Sequence, residues 1–141
     1  MKLFRFLTLA LMVALFVPSC GNDPVDGPSK GGNNFVLDET KSYPLVSSDP
    51  EVIIAETTET VTIILNGKGT AIEDFTGDVY AHTGVLTDKS ASSSNWRYTK
   101  AGWTENKPEC KLTRHNNNLW TLTIKGGPRA FYGIPASESI T

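Results

Sequence analysis

The sequence predicts an all-β domain of the sandwich class, and three observations carry that expectation. Apolar residues alternate in short runs between turn-rich segments, and no long stretch repeats at 3.6 residues, which argues for strands over helices. The chain has 141 residues with 12 Gly and 8 Pro. That length suits one domain and falls short of the roughly 250 residues of a (β/α)₈ barrel. The formal charge of −2 gives no basic excess to attract phosphate backbones, so nucleic acid is a poor partner and none is expected.

The first element is an address label. Lys2 and Arg5 precede a charge-free apolar run from Phe6 to Val17 of 12 residues. Such a run suits a secretory h-region and is shorter than the ~20 residues needed to span a bilayer. Val17-Pro18-Ser19-Cys20, followed by Gly21-Asn22, resembles the lipobox of bacterial lipoproteins, although Pro18 departs from the usual pattern. The resemblance implies a signal peptide over residues 1–19 and a lipidated Cys20 that becomes the new N-terminus. It implies a bacterial outer membrane lipoprotein, on either the periplasmic or the surface face. Asp23 and Asp26 are faintly similar to acidic surface-export signals. Ordinary secretory cleavage, with Cys20 a plain thiol, is the other reading.

Losing residues 1–19 leaves 11 Lys and Arg against 15 Asp and Glu. Attachment to a membrane then rests on acyl chains and not on charge. A lipidated Cys20 leaves Cys110 without a disulfide partner. Cys110 shares parity with Leu112, so it is expected to be buried as a small hydrophobe. His82 and His115 are the only histidines, so no metal cluster or cofactor is expected. Asp74 and Asp78 fall short of the six to eight oxygens that Ca²⁺ takes.

Residues 21–34 hold Gly and Pro with Val25 as the only aliphatic residue, a composition that cannot bury a core. The lipidated Cys and linker are assigned to 20–44, with Phe35 to Leu37 open as either tether or first strand. Pro44 and Pro50 bracket a short segment suited to an edge strand. Thr60 to Leu65 is β-branched, with Val61, Ile63 and Leu65 on one face, and Asn66-Gly67 turns the chain. Asp78 to Leu86 reads as a strand with Val79 and Ala81 on one face and Tyr80 and His82 on the other. After the polar loop Ser90 to Asn95, Trp96 to Thr99 reads as a short strand.

The best-defined unit is a hairpin, Glu109 to His115 and Leu119 to Lys125, around Asn116-Asn117-Asn118. Asn tolerates positive φ, so a three-residue loop fits. That loop pairs Arg114 with Trp120, Leu112 with Leu122 and Cys110 with Ile124 on one face. A one-residue slip would set apolar against polar residues throughout. Gly126-Gly127-Pro128 ends the strand, and Phe131 to Pro135 reads as a loop held by its aromatics. Residues 45–141 thus form one unit of 97 residues. Its strand spacing favours an immunoglobulin-like β-sandwich, nominally ~100 residues with about seven strands, of which five or six are legible.

The stretch from Glu73 to Val85 is distinctive, as are Trp96-Arg97-Tyr98, Trp103, Lys111-Leu112-Thr113-Arg114, Asn118-Leu119-Trp120 and Tyr132 to Glu138. Together these resemble the immunoglobulin-like accessory domain that precedes the catalytic barrel in α-amylase-type proteins (glycoside hydrolase family 13) of Bacteroidetes. The likeness covers roughly residues 45–139. In that family the Pro-Ala-Ser-Glu segment leads into further strands, so the resemblance implies a sandwich lacking its last strand or strands, and no enzyme. Val79-Tyr80-x-His82 followed by a Trp is also similar to starch-binding modules.

Carbohydrate binding needs flat aromatic faces against the C–H faces of a pyranose, flanked by amide, hydroxyl or imidazole groups. Trp103 stands in a polar loop with Lys100, Thr104 and Asn106, with nothing to bury it, and leads the candidates. Trp96 and Tyr98 share a face of their predicted strand; Trp96 fits the core and a ligand site equally. His82 also fits a packed histidine, and Tyr80 follows it. Trp120 belongs to the core, with Arg114 placed to stack on it, and His115 is expected to be exposed. No nucleophile motif, phosphate loop or singled-out carboxylate pair points to catalysis. The resulting expectation is a non-catalytic, lipid-anchored module for starch-type α-glucan. The alternatives are an immunoglobulin-like spacer, or a remnant of a truncated glycoside hydrolase, with no ligand of its own.

Overall fold

The computed structural model describes residues 35–141. The apolar leader, Cys20 and the Gly-rich stretch through Asn34 lie outside them. Strands β1 (Val46–Asp49), β2 (Thr60–Asn66), β3 (Thr113–Arg114) and β4 (Leu119–Lys125) form one antiparallel sheet of order β1-β2-β4-β3. Helix is limited to a 3₁₀ turn at Pro108–Cys110 and a short α1 (Gly127–Tyr132). No helix among the described residues is long and apolar enough to cross a membrane.

β2 forms where β-branched residues concentrate. Val61, Ile63 and Leu65 enter the core with Ile72, Val79, Leu112, Trp120, Leu122 and Ile124. Thr62 and Ile64 on the opposite face are buried as well, which is why Ile63-Ile64-Leu65 is an unbroken apolar run. β1 lies at the sheet edge between its two prolines, as expected, and pairs Val46 with Leu65 and Asp49 with Thr62.

The hairpin takes the expected register: Thr113 faces Thr121, and Arg114 faces Trp120. The His115 amide donates to the Leu119 carbonyl at 2.8 Å, and Asn117 and Asn118 turn the chain with φ of 56° and 60°. The Arg114 guanidinium lies 5.9 Å from the Trp120 ring centre. The ladder is shorter than expected, however. Leu112 does not continue along β4; its amide donates to the Val79 carbonyl at 2.9 Å, and the Ala81 amide donates to the Cys110 carbonyl at 2.8 Å. Pro108 opens a 3₁₀ turn here, so the chain reaches β3 from a second layer. Cys110 is buried, and burial raises its thiol pKa.

That second layer is irregular. The expected continuous strands Asp78–Leu86 and Trp96–Thr99 are replaced by isolated bridges, Tyr80 with Lys111, Val85 with Arg97 and Thr87 with Ile140. Gly84 lets the Arg97 backbone come close, since a Cβ there would lie 3.1 Å from the Arg97 carbonyl oxygen. Tyr98 then turns left-handed with φ 51°, which breaks the alternation that placed it beside Trp96. Its hydroxyl donates to Glu138 Oε1 at 2.8 Å. Glu138 is buried there; the Arg97 guanidinium grips it through Nε and Nη2 at 3.0 and 2.8 Å, and Thr87 Oγ1 donates at 2.9 Å.

Phe131 and Tyr132, expected in a loop, belong to α1. Pro128 stands in its first turn, and Gly133 closes it at φ 69°, the usual placement of both residue types. His115, expected to be exposed, is half-buried; its Nε2 lies 2.8 Å from Thr121 Oγ1.

Between the sheet and the second layer lies an apolar groove of about 380 Å³. Val61, Ile63 and Ile124 form its sheet wall, with Val85, Leu86, Trp96 and Ile140 opposite and Val52 and Ile54 also lining it.

Candidate functional site

Local pairing decides which aromatics meet at the surface. The bonds of Ala81 to Cys110 and of Leu112 to Val79 hold residues 79–81 extended, so Val79 and Ala81 point into the core. Tyr80 and His82 point the other way, as strand alternation requires. The Lys100 amide donates to the Thr83 carbonyl at 3.0 Å. This brings the following loop across His82.

Ala101 is buried and its carbonyl oxygen lies 2.8 Å from His82 Nδ1. A carbonyl only accepts, so Nδ1 carries a proton, and in the neutral imidazole Nε2 is then the acceptor. The Trp103 ring stacks on the imidazole with centres 3.9 Å apart and planes inclined by 26°. Trp96 lies on the same histidine at 6.1 Å and 23°. The three rings make a ladder from the surface at Trp103 to the wall of the apolar groove at Trp96.

The Trp103 loop is internally bonded. Glu105 Oε2 accepts from the Gly102 amide at 2.9 Å, and the Glu105 amide donates back to the Gly102 carbonyl at 3.1 Å. Lys107 Nζ lies 3.4 Å from the same carboxylate and donates to the Lys100 carbonyl at 3.0 Å. The Gly102 amide first, then Lys107, lower the Glu105 pKa. Lys100 in turn donates to the Phe131 carbonyl at 2.8 Å. These bonds hold the indole outward, and Trp103 is 55% exposed.

Of the residues singled out from the sequence, Tyr80, His82 and Trp103 line one shallow concavity, together with Glu105 and Asn106. Trp96 touches it only through the His82 stack. Tyr98 is held on Glu138 and does not join the platform. Glu105 was not foreseen; the signal was its place two residues after Trp103, a Gly-x-x-Glu turn closed by its own carboxylate. The concavity offers a flat indole face, an imidazole acceptor, a carboxylate and an amide, the groups that hold a sugar ring. Among the described residues, no group of three or more His, Cys, Asp or Glu side chains converges as a metal site would.

No protein-family model matches the chain, and no curated protein matches it.

Proposed function

We propose that this chain is a non-catalytic binding module, anchored through lipid at Cys20 in a bacterial outer membrane, that holds α-glucan on Trp103. The observation that carries the reading is the indole that is 55% exposed yet fixed at 3.9 Å on His82. A large aromatic left in solvent but immobilised by stacking is a stacking surface prepared in advance. The choice of α-glucan rests on the resemblance of residues 45–139 to amylase-type accessory domains. An immunoglobulin-like sandwich is the finer fold reading. It is supported by the order β1-β2-β4-β3, which follows the ABED ladder of such domains.

Affinity electrophoresis in amylopectin gels tests the ligand. Retarded migration that is lost in Trp103→Ala supports the reading, and migration unaffected by the polysaccharide overturns it. Radiolabelled fatty acid incorporated by the wild type and not by Cys20→Ser tests the anchor.

A further inference from the structure

The extended run from Val79 to Val85 is paired along one edge only. On that edge Val79 accepts from Leu112, Ala81 donates to Cys110, Thr83 accepts from Lys100, and Val85 and Arg97 exchange bonds at 3.0 and 2.8 Å. Backbone groups of successive residues alternate between the two edges of a strand. The N–H and C=O groups of Tyr80, His82 and Gly84 therefore belong to the other edge, where none of them has a hydrogen-bond partner among the described residues. A few residues further on, the same edge carries a strand. The Asp88 amide donates to the Ser139 carbonyl at 2.9 Å and the Thr141 amide to the Leu86 carbonyl at 3.1 Å, with Thr87 facing Ile140 in an antiparallel bridge. The edge is filled opposite Leu86 and Asp88 and free opposite Tyr80 to Gly84.

The apolar groove opens at this junction, with Gly84, Val85, Ile140 and Thr141 in its lining. A strand laid along the free edge turns every second side chain inward, opposite Ala81, Thr83 and Val85, and the others outward beside Tyr80 and His82. Inward side chains enter the groove and must be apolar to match it. A small apolar molecule in the groove leaves the edge's N–H and C=O groups to solvent, whereas a strand satisfies both. We infer that the free edge and the groove together form a docking site for an extended peptide strand of a partner protein, antiparallel to residues 80–84, with apolar residues at every second position. Main-chain bonds to the edge supply affinity and the groove supplies selection for the alternation. The inference rests on backbone groups and the groove, and not on the glycan reading.

The probe is a synthetic peptide of about seven alternating valine and threonine residues flanked by lysine, titrated calorimetrically into the full chain and followed by amide hydrogen exchange. Saturable binding is expected, with exchange slowed at the Tyr80, His82 and Gly84 amides. With valines inward, the threonine N–H groups face the edge. The same peptide N-methylated at its threonines loses those donors and is expected to bind at least about tenfold more weakly. A peptide of the same composition with its valines in one block is expected to lose affinity as well. Equal binding of the methylated or the block peptide overturns the inference, because the strand edge or the alternation then contributes nothing. Binding of none of the peptides overturns it too. Exchange at these amides that slows with rising protein concentration, without peptide, would give the edge to a second copy of the chain and overturn the partner strand.

Discussion

The imidazole of His82 is the shelf on which Trp103 rests, with ring centres 3.9 Å apart. Aromatic pairs of this kind contribute about 0.5–1.5 kcal/mol beyond burial. His82→Ala removes the shelf and the Nε2 acceptor while leaving Trp103 in place in the chain. Glycan affinity is expected to fall about thirtyfold, the sum of a lost stack and a lost hydrogen bond of ~1 kcal/mol each. Affinity gels measure the loss, and Trp fluorescence reports the freed indole; unchanged retardation would remove His82 from the site.

Glu138 joins the C-terminal segment to the second layer through Arg97, Tyr98 and Thr87. Its folded pKa is lowered below the ordinary 4.5, chiefly by Arg97. A lowered carboxylate pKa means stability that is present above the unfolded value and is lost as pH falls through the folded value. Stability at pH 7 therefore includes this contribution, and acidification below about 4.5 removes it. Urea melts of Glu138→Gln are expected to show lower stability at neutral pH and a flatter decline into acid. Parallel pH profiles for the two proteins would show that the cluster contributes nothing.

The groove presents Val52 at 63% and Ile54 at 49% exposure beside Trp96 and Ile140. Contiguous apolar surface of this kind binds hydrophobic dyes. The folded protein is expected to enhance anilinonaphthalene sulfonate fluorescence at neutral pH, and Ile54→Glu is expected to suppress that signal with little change in the urea midpoint. Dye binding insensitive to Ile54→Glu would place the dye elsewhere.

Much of the sheet was legible because its signals are local. β2 announces itself through β-branched residues, and the three-Asn loop sets the register of β3 against β4. The second layer was not legible, because single non-local pairs hold it, Val85 with Arg97 and Thr87 with Ile140, and no periodicity records such pairs. Helix α1 was missed although Pro128 and Gly133 mark its ends; at six residues it is too short to show a 3.6-residue pattern. Within the site, Trp103 stood out because its neighbours are polar. Tyr98 misled, since alternation fails once a residue turns left-handed. Glu105 was invisible because its role depends on a carboxylate folding back onto an amide three residues earlier.

The hairpin loop carries a further expected outcome. Asn117 is exposed and left-handed at φ 56°, a conformation that costs an ordinary L-residue roughly 1–2 kcal/mol and a β-branched one at least as much. Its amide nitrogen also donates to the Glu39 carbonyl at 2.8 Å, an exposed bond of small net worth. Asn117→Val is expected to lower unfolding stability by about 1–2 kcal/mol. Asn117→Gly, which loses the same bond but suits positive φ, is expected to stay within about 0.5 kcal/mol of wild type. Equilibrium urea denaturation of the three proteins separates backbone strain from the lost hydrogen bond. If Val and Gly destabilise equally, the Glu39 contact matters and the left-handed turn does not.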